Sequence, residues 1–497
     1  MQPQTDIEQT KLPETAIDKW KGMRICVLQP DYSTSSVDYQ YYDPVRDLSN
    51  LIPTAYFDHI LLNKLTTYKQ LKELKKKKYD IFVNLCEGYL EWEIPSIDVI
   101  YTLELLNLPF TGPTSLLYDP PKELMKYVAY TAGIKTPAYA IIEDYNTLEQ
   151  DCKHLNYPLF VKPHKAGDSL GIDDKSRVNN FSELTAKVAV IIDEYGPLLV
   201  EEYIAGREFT VMLAATADTK KPIIFEPVEY IFPSGKHFKT YSLKTSELHP
   251  DANIPLTEAD ISNKLKEIAN DIFVGFGGVG YARLDCRMDA GGIIYFLEIN
   301  FTCSVFYSAG YEGSADYILL HDGFGQANFL QLIIEEGINR HRQQQPKYSM
   351  KGNSTAGYGI FAAHNIGANE VIFKGEEMPQ RLVTRNYVIE NWGIKEKEIF
   401  ARYAYPVSKE IFLLWDKNPT SWAPQNHSCS PNTAYKGLNV LSIRPILKGE
   451  ELTLDYAFLL DENMEPFICN CGNANCRGLI TGIANNSVTE RETSVIA

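Results

Sequence analysis

The stretch Arg283-Leu-Asp-Cys-Arg, which leads into Leu297-Glu-Ile-Asn, decides the fold of the first part of this chain. Asp285 ends one apolar strand, and Glu298 and Asn300 lie two residues apart on the next, so strand alternation turns both of these side chains to the same face. Three oxygen ligands then converge, and Mg²⁺ prefers oxygen ligands, which it combines with water and nucleotide phosphates. A single acidic residue at a strand end is usually a solvated edge, so the prediction depends on the residues that precede this stretch.

Two stretches further upstream fit the same chemistry. The loop Lys162-Pro-His-Lys-Ala-Gly-Asp-Ser-Leu-Gly-Ile places a lysine at the end of a predicted strand, followed by glycines that let backbone N–H groups approach phosphate oxygens. Alone, such a loop is most often only a turn. It is followed in order by Leu199-Val-Glu-Glu-Tyr-Ile-Ala-Gly-Arg-Glu-Phe and by Lys244. The ordered set favours a phosphate-binding site over an unrelated series of turns.

Strands and helices alternate through the first three hundred residues. Buried strands are predicted from Met23 and from Tyr79, with further strands near 159, 198, 209 and 293 and helices near 122–132, 181–195 and 258–275. This alternation predicts an α/β fold that contains a parallel sheet.

With these motifs, residues 23 to 335 resemble the ATP-grasp superfamily, and most closely D-alanine:D-alanine ligase. The segment around Lys122 resembles the first lysine motif of that family, although a proline replaces the usual aspartate before it. The resemblance implies three subdomains, the first with a parallel sheet, and the binding of ATP and Mg²⁺. The implied roles are phosphate binding by Lys122, Lys162 and Ser169, adenine binding by Glu201, Glu202 and Ile204, ribose binding by Glu208, stabilisation of the transferring phosphoryl group by Lys244 and Arg283, and Mg²⁺ binding by Asp285, Glu298 and Asn300.

The reaction that the resemblance implies is the formation of an amide through an acyl phosphate. The segments that should bind amino acid substrates differ from the family pattern: Leu85-Cys-Glu-Gly follows the second predicted strand, and Phe301-Thr-Cys-Ser follows Asn300 where the family carries a Pro-Gly pair. The identity of the amino acid or peptide substrate therefore stays open.

A cysteine cluster near the end of the chain predicts a metal site. Cys469, Cys471 and Cys476 lie within eight residues, and three close thiolates suit a tetrahedral zinc ion. Structural zinc sites normally have four protein ligands, and Cys429 is the candidate for the fourth. Free surface thiols or a redox cluster are the alternatives.

Residues 346 to 480 closely resemble the SET-domain methyltransferases, which implies a mostly β SET domain closed by a post-SET zinc site. The motifs are Ala356-Gly-Tyr-Gly-Ile-Phe-Ala, Asn426-His427 and Gly449-Glu-Glu-Leu-Thr-Leu-Asp-Tyr. The implied reaction transfers a methyl group from S-adenosylmethionine to a lysine or other amine. Leu454 stands where relatives often carry Phe or Tyr, so the number of methyl groups stays open. The implied roles are S-adenosylmethionine binding by Gly357, Tyr358, Gly359, Asn426 and His427, and catalysis by Tyr456.

Length and composition fit this reading. A chain of 497 residues exceeds the roughly 250–300 at which one hydrophobic core stops growing. A formal net charge of −16 disfavours nucleic acid and anionic lipid as partners, and the first twenty residues lack an apolar leader, so we expect a cytoplasmic protein. The expected divisions are an extension at 1–22, ATP-grasp subdomains at 23–120 and 121–335, a linker at 336–346, the SET domain at 347–464, the zinc motif at 465–480 and a tail at 481–497.

The leading hypothesis is a bifunctional enzyme, with an amino acid or peptide substrate for the ligase and a lysine-bearing protein, peptide or small amine for the SET domain. The alternative is a SET-domain protein-lysine methyltransferase whose ATP-grasp half is a non-catalytic module that binds nucleotide or substrate. A homodimer is possible under either hypothesis.

Overall fold

The computed structural model divides into two compact units, residues 1–344 and residues 345–497. Among the described residues, no helix has the length and apolar character that a membrane crossing requires. The structure describes residues 19–34, 41, 43–87, 93–165, 169–217, 221–240, 243, 252–353, 356–415, 425–460 and 465–482.

The amino-terminal unit begins with a three-stranded parallel sheet in the order β2-β1-β3, which confirms the predicted parallel α/β start. Strands β1 and β3 are apolar runs because both of their faces are buried: one face packs on two helices around Leu28, Phe82 and Leu103, and the other packs on residues near 330. The elements are β1 (Arg24–Pro30), β2 (Tyr56–Leu62), α1 (Thr67–Lys75), β3 (Ile81–Asn84) and α2 (Ile97–Leu105).

A four-stranded antiparallel sheet follows, in the order β4-β7-β5-β6. Its apolar face is covered by the long helix α5, whose Leu184, Val188 and Ile191 are buried. The elements are α3 (Lys122–Thr131), β4 (Tyr139–Ile142), α4 (Leu148–Cys152), β5 (Leu159–Pro163), β6 (Arg177–Val178), α5 (Phe181–Tyr195) and β7 (Leu198–Glu202).

The third sheet is antiparallel, in the order β11-β10-β8-β12-β13, with β9 paired to β8. The last helix of the unit runs through residues 336–344, which were expected to be a linker, and its Glu336 and Gly337 are buried. The elements are β8 (Arg207–Ala214), β9 (Ile223–Ile224), β10 (Val228–Tyr230), β11 (Asn253–Pro255), α6 (Ala259–Gly275), β12 (Tyr281–Met288), β13 (Ile294–Asn300), α7 (Ser314–Asp322) and α8 (Gly325–Gln344).

The carboxy-terminal unit consists mainly of short strands in small sheets, as expected. Strands β20 and β23 form a parallel pair although they are far apart in sequence, and this pair brings two of the quoted motifs together. The elements are β14 (Tyr348–Asn353), β15 (Gly357–Ala362), β16 (Val371–Phe373), β17 (Gln380–Thr384), α9 (Arg385–Asn391), α10 (Ile394–Tyr403), β18 (Tyr405–Pro406), β19 (Ile411–Trp415), β20 (Asn426–His427), β21 (Thr433–Lys436), β22 (Asn439–Ser442), β23 (Thr453–Leu454), β24 (Phe467–Ile468) and β25 (Leu479–Ile480).

Candidate functional site

A cleft of about 640 Å³ lies between the second and third sheets of the amino-terminal unit. Lys122, Arg283 and Asn300 are not among its lining residues, and Lys244 lies outside the described residues. The sequence-predicted residues that line the cleft are Lys162, Ser169, Glu201, Glu202, Ile204, Glu208, Asp285 and Glu298.

Glu201 forms ion pairs with two lysines in the cleft. Its two carboxylate oxygens lie 2.7 Å from the Nζ atoms of Lys126 and Lys162, and all three side chains are buried. Burial alone would raise the pKa of Glu201, but the two ammonium groups outweigh this effect and lower it to about 2. Lys162 also lies 4.0 Å from Glu298, so its ammonium group connects the second sheet to the third. The lysine therefore stays charged, as a phosphate-binding group requires.

Asp285 and Glu298 occupy opposite positions on β12 and β13, and Arg283 and Asn300 form another opposite pair, separated from the first by Leu284 and Ile299. A β-bulge between Asp285 and Cys286 shifts the register beside the pair, and bulges commonly redirect side chains at functional sites. Asp285 is buried and accepts a hydrogen bond of 2.9 Å from the Thr210 hydroxyl. Two carboxylates and an amide oxygen form a donor set that fits Mg²⁺.

The side-chain amide of Asn300 also indicates that a ligand binds beside the β12–β13 pair. Its buried Nδ2 atom has no hydrogen-bond partner among the described residues. Buried polar groups without a partner are uncommon in folded proteins and are often completed by an ion, a water or a ligand. This atom is consistent with a polar ligand beside Asn300.

The phosphate-loop prediction falls on a segment with unusual backbone geometry. Ser169 has a φ of +57°, and Gly171 has a φ of +71°. A Cβ atom at Gly171 would lie 2.8 Å from a side-chain carbon of Pro163, so this position requires glycine. Lys122, the other predicted phosphate-binding lysine, begins α3 and is buried, and burial lowers its pKa.

Sequence reasoning missed two cations of the cleft, Arg287 and Lys239. Arg287 Nε donates to Glu208 at 3.0 Å and its Nη2 lies 2.9 Å from the same carboxylate oxygen, while Lys239 Nζ lies 3.0 Å from the other oxygen of Glu208. Strand alternation could have identified Arg287, because it lies two residues after Asp285 on the same face of β12. Lys239 follows a glycine-containing loop, and its position has no local sequence signal.

The segments expected to differ from the family pattern meet at the carboxyl ends of β1 and β3. Arg46 is buried there, and its guanidinium donates to Asp43 at 2.9 Å and to the carbonyl of Val305 at 3.0 Å. The Ser304 hydroxyl donates to Glu87 at 2.8 Å, and the Arg46 guanidinium lies over the ring of Tyr307. The chain's own side chains thus fill part of this region with a charged network.

In the carboxy-terminal unit, the parallel pair of β20 and β23 sets Asn426 opposite Thr453 and His427 opposite Leu454. The backbone N–H of Tyr456 then donates to His427 Nδ1 at 3.1 Å. The Tyr456 hydroxyl donates to the carbonyl of Gln425. Burial is the main cause that raises the pKa of Tyr456 to about 12, so the hydroxyl stays protonated at neutral pH.

Asn426 is held by a residue that sequence reasoning did not assign. Its Nδ2 atom donates at 2.8 Å to the carbonyl of Tyr358 and at 2.8 Å to Glu451, which also accepts from the Asn353 amide. A Cβ atom at Gly359 would lie 2.2 Å from the same Glu451 carboxylate. The predicted cofactor residues Gly357, Tyr358, Gly359, Asn426 and His427 therefore gather around one carboxylate and one parallel strand pair.

An apolar pocket of about 780 Å³ lies beside Tyr456. Tyr405 and Tyr435 stack in its wall with ring centroids 4.6 Å apart, and Trp415 lies 6.0 Å from Tyr405. Leu454 also lines the pocket. This environment desolvates any amine that enters it.

The four predicted zinc ligands come together. The Sγ atoms of Cys429, Cys469, Cys471 and Cys476 all lie within 4.8 Å of one another, and those of Cys429 and Cys469 are 3.8 Å apart. Zn–S bonds of about 2.3 Å imply S···S distances of roughly 3.8 Å in a tetrahedron, so the donor set fits zinc. Cys429 Sγ also lies 3.4 Å from His427 Nε2, which links the cluster to the Asn426-His427 motif.

Two protein-family models match the chain: "D-ala D-ala ligase C-terminus" over residues 128–307 and "SET domain" over residues 357–457. A D-alanine–D-alanine ligase of Marinomonas sp. is 29% identical over 203 residues, which are 40% of this chain and 61% of that protein. A protein named "Uncharacterized protein y4sG" of Sinorhizobium fredii is 30% identical over 255 residues, 49% of this chain and 71% of that protein.

The solved D-alanine-D-alanine ligase of Coxiella burnetii aligns with 65% of this chain and 96% of its own, with 19% identity and a TM-score of 0.49. The matched region of this chain spans 61% of the Marinomonas relative, which is less than two thirds of its length. Residues 128–307 belong to the family of the D-alanine:D-alanine ligase carboxy-terminal domain and residues 357–457 to the SET-domain family, so this chain is a fusion of the two.

Proposed function

We propose that the chain is a bifunctional enzyme: an ATP-dependent ligase that joins a carboxylate to an amine, and an S-adenosylmethionine-dependent N-methyltransferase. One observation carries the ligase proposal. The amino-terminal cleft sets a charged lysine, Lys162, between Glu201 at one end and the Asp285–Glu298 pair at the other. This order of cations and carboxylates suits a nucleotide with bound Mg²⁺.

In the ligase unit, ATP would supply its γ-phosphoryl group to a substrate carboxylate with release of ADP, and an amine would then displace inorganic phosphate from the resulting acyl phosphate, with loss of a proton, to form the amide. The residues of the chain position the reactants and neutralise charge. Asp285, Glu298 and Asn300 would hold Mg²⁺, and Lys162 would bind phosphate while Glu201 fixes its position. Lys122, Lys244 and Arg283 would complete the charge neutralisation. Positioning and electrostatic stabilisation account for most catalysis in phosphoryl transfer.

In the SET unit, the methyl donor would lie along Gly357, Tyr358 and Gly359 and contact Asn426 and His427. The acceptor is a lysine-bearing protein, a peptide or a small amine that reaches Tyr456 through the aromatic pocket. Because the pocket desolvates the amine, its pKa falls and its lone pair becomes available. Tyr456 orients the nitrogen, and zinc bound by the four cysteines would hold Cys429 beside His427.

A second function is favoured by the network around Arg46. The buried Asp43–Arg46 pair and the Ser304–Glu87 hydrogen bond occupy the carboxyl ends of β1 and β3, where α/β sheets commonly bind ligands. If this network excludes an amino acid, the amino-terminal unit serves as a nucleotide- or substrate-binding module for the methyltransferase.

Release of ADP and transfer of methyl groups, measured over a panel of amino acids and short peptides, separate the two functions. The bifunctional enzyme releases ADP with at least one acceptor and forms an amide that mass spectrometry detects. Absence of ADP release with every acceptor, together with active methyl transfer, favours the binding module. A cytoplasmic location and a homodimer stay predictions.

A further inference from the structure

Lys239 is a buried cation of the amino-terminal cleft to which none of the motifs assigns a role. Its side chain is only 11% exposed. The Nζ atom lies 3.0 Å from Glu208, 3.4 Å from the Thr210 hydroxyl oxygen and 4.6 Å from the ring centroid of Tyr230. Contacts from two strands therefore hold the ammonium group in one place inside the cleft.

Among the residues that the structure describes, Lys239 has one carboxylate within ion-pair distance, Glu208, and it shares that carboxylate with Arg287. Arg287 already makes two contacts with that carboxylate, from Nε at 3.0 Å and from Nη2 at 2.9 Å. The next carboxylate along the cleft, Asp285, has its own cation in Arg283, with Nη2 at 3.4 Å. Two cations share one carboxylate at Glu208, and a buried charge without full compensation is costly. An anion in the cleft would remove this cost.

The position of Lys239 indicates which kind of anion would bind beside it. Glu208 and Thr210 lie two residues apart on one face of β8, so their side chains are about 6.6 Å apart along the strand. The Thr210 hydroxyl donates to Asp285 at 2.9 Å. Lys239 therefore lies between the carboxylate expected at the ribose and the carboxylate expected at Mg²⁺, and the phosphates of a nucleotide must cross this interval.

We propose that Lys239 is a phosphate-binding residue of the amino-terminal cleft and adds to its selectivity for nucleotides with a phosphate chain over nucleosides. The proposal rests on the proposed nucleotide-dependent function of this cleft. It assigns Lys239 a charge-neutralising role distinct from that of Glu208, which would contact the ribose.

The test is a calorimetric titration of the full-length protein, with Mg²⁺ present, using an imido analogue of ATP, ADP and adenosine. Lys239→Gln is expected to weaken binding of the ATP analogue roughly 10- to 100-fold, which is the usual range for a hydrogen bond to a charged group. Binding of adenosine is expected to stay within about threefold, because adenosine lacks the phosphates. Lys239→Arg keeps the charge and is expected to recover most of the affinity for the ATP analogue.

The matched control is Lys236→Gln, in the same segment, because Lys236 Nζ pairs with Asp174 at 2.9 Å and is more exposed than Lys239. If Lys239→Gln does not fold, Lys239→Thr replaces it. The proposal is overturned if the wild-type protein binds the ATP analogue but Lys239→Gln loses affinity equally for adenosine and for the ATP analogue. It is also overturned if Lys239→Gln loses affinity for neither. A wild-type protein that binds no nucleotide would instead overturn the proposed function together with this inference.

Discussion

Asp285 lies directly opposite Glu298 on the neighbouring antiparallel strand, with the Thr210 hydroxyl donating to Asp285 at 2.9 Å. Carboxylates that face each other across a strand pair repel, and a bound Mg²⁺ would neutralise them together with Arg283, 3.4 Å from Asp285, and Lys162, 4.0 Å from Glu298. Asp285→Asn is therefore expected to lower Mg²⁺-dependent ADP release by roughly 100-fold or more, because it weakens the metal that neutralises the phosphates. Assays over a range of Mg²⁺ concentrations measure this effect.

Asp271→Asn is the control for that experiment, since Asp271 is exposed on α6. ADP release by this control should equal that of the wild type. Unchanged ADP release in Asp285→Asn would contradict the assignment of a metal to the β12–β13 ladder.

Glu201 should make the stability of the protein depend on pH in the acid range. Its pKa is about 2 in the folded protein against an ordinary value of 4.5, so its ionisation stabilises the fold above about pH 4.5 and this contribution is lost as the pH falls toward 2. Glu201→Gln leaves Lys126 and Lys162 without their carboxylate and should lower the free energy of unfolding at pH 7 by about 3–5 kcal/mol.

Denaturant unfolding at pH 7, 4 and 3 checks both effects. The difference between wild type and Glu201→Gln should shrink as the pH falls, since only the wild type loses this contribution. Glu202→Gln is the control, because Glu202 is half-buried and accepts from the side chain and backbone of Asn156. A difference that is constant with pH would show that the carboxylate is not the source of the stability.

The cysteine cluster predicts about one zinc ion per chain, held by the thiolates of Cys429, Cys469, Cys471 and Cys476. Cys471→Ser or treatment with a chelator should remove the metal and abolish methyl transfer, because Cys429 lies beside His427. ADP release should stay intact. Elemental analysis together with both activity assays measures these outcomes, and parallel loss of both activities would show that the two units are not independent.

Glu451 is expected to act as a positioning residue for the methyl donor. Glu451→Gln replaces one carboxylate oxygen by an amide nitrogen, which cannot accept, so Asn426 keeps the Tyr358 carbonyl but competes with Asn353 for a single remaining oxygen. Affinity for S-adenosylmethionine should fall roughly tenfold, which calorimetry measures. Glu450→Gln is the matched control, because Glu450 contacts Arg444, Asn432 and Leu447 and none of these contacts involves Asn426. Equal effects of the two substitutions would remove the role proposed for Glu451.

Tyr456→Phe is expected to lower the rate of methyl transfer by roughly 100-fold or more, since the hydroxyl that orients the amine is lost. With its pKa raised to about 12, Tyr456 stays protonated, so the wild-type rate should show no inflection from this residue below about pH 10. Tyr387→Phe, on the exposed face of α9, is the control. An unchanged rate in Tyr456→Phe would indicate that the SET domain is only a scaffold.

Local patterns were sufficient for much of the fold. The apolar run from Met23 predicted β1, and the helices near 181–195 and 258–275 correspond to α5 and α6, because hydrophobic periodicity is a property of neighbouring residues. The end of the amino-terminal unit was harder to predict. The polar residues that precede Pro346 resemble a linker, yet α8 continues to Gln344 because its buried face packs against the first sheet.

In the candidate sites, too, local sequence patterns predicted some residues, while others depend on tertiary packing. The Asp285–Glu298 pair and the four cysteines followed from spacing along the chain, and the structure brings each set together. Lys239 could not be predicted, because its contact with Glu208 joins segments 31 residues apart through the geometry of the third sheet. The Arg46 contact with Val305 spans 259 residues and depends on how the first sheet packs against the loop after β13.

The proposed function requires that one chain carries two separate chemistries. Its most direct test measures ADP release and methyl transfer on the same preparations of wild type, Asp285→Asn and Tyr456→Phe. We expect both activities in the wild type, loss of ADP release alone in Asp285→Asn, and loss of methyl transfer alone in Tyr456→Phe. A wild type that shows neither activity, or a single substitution that removes both, would contradict it.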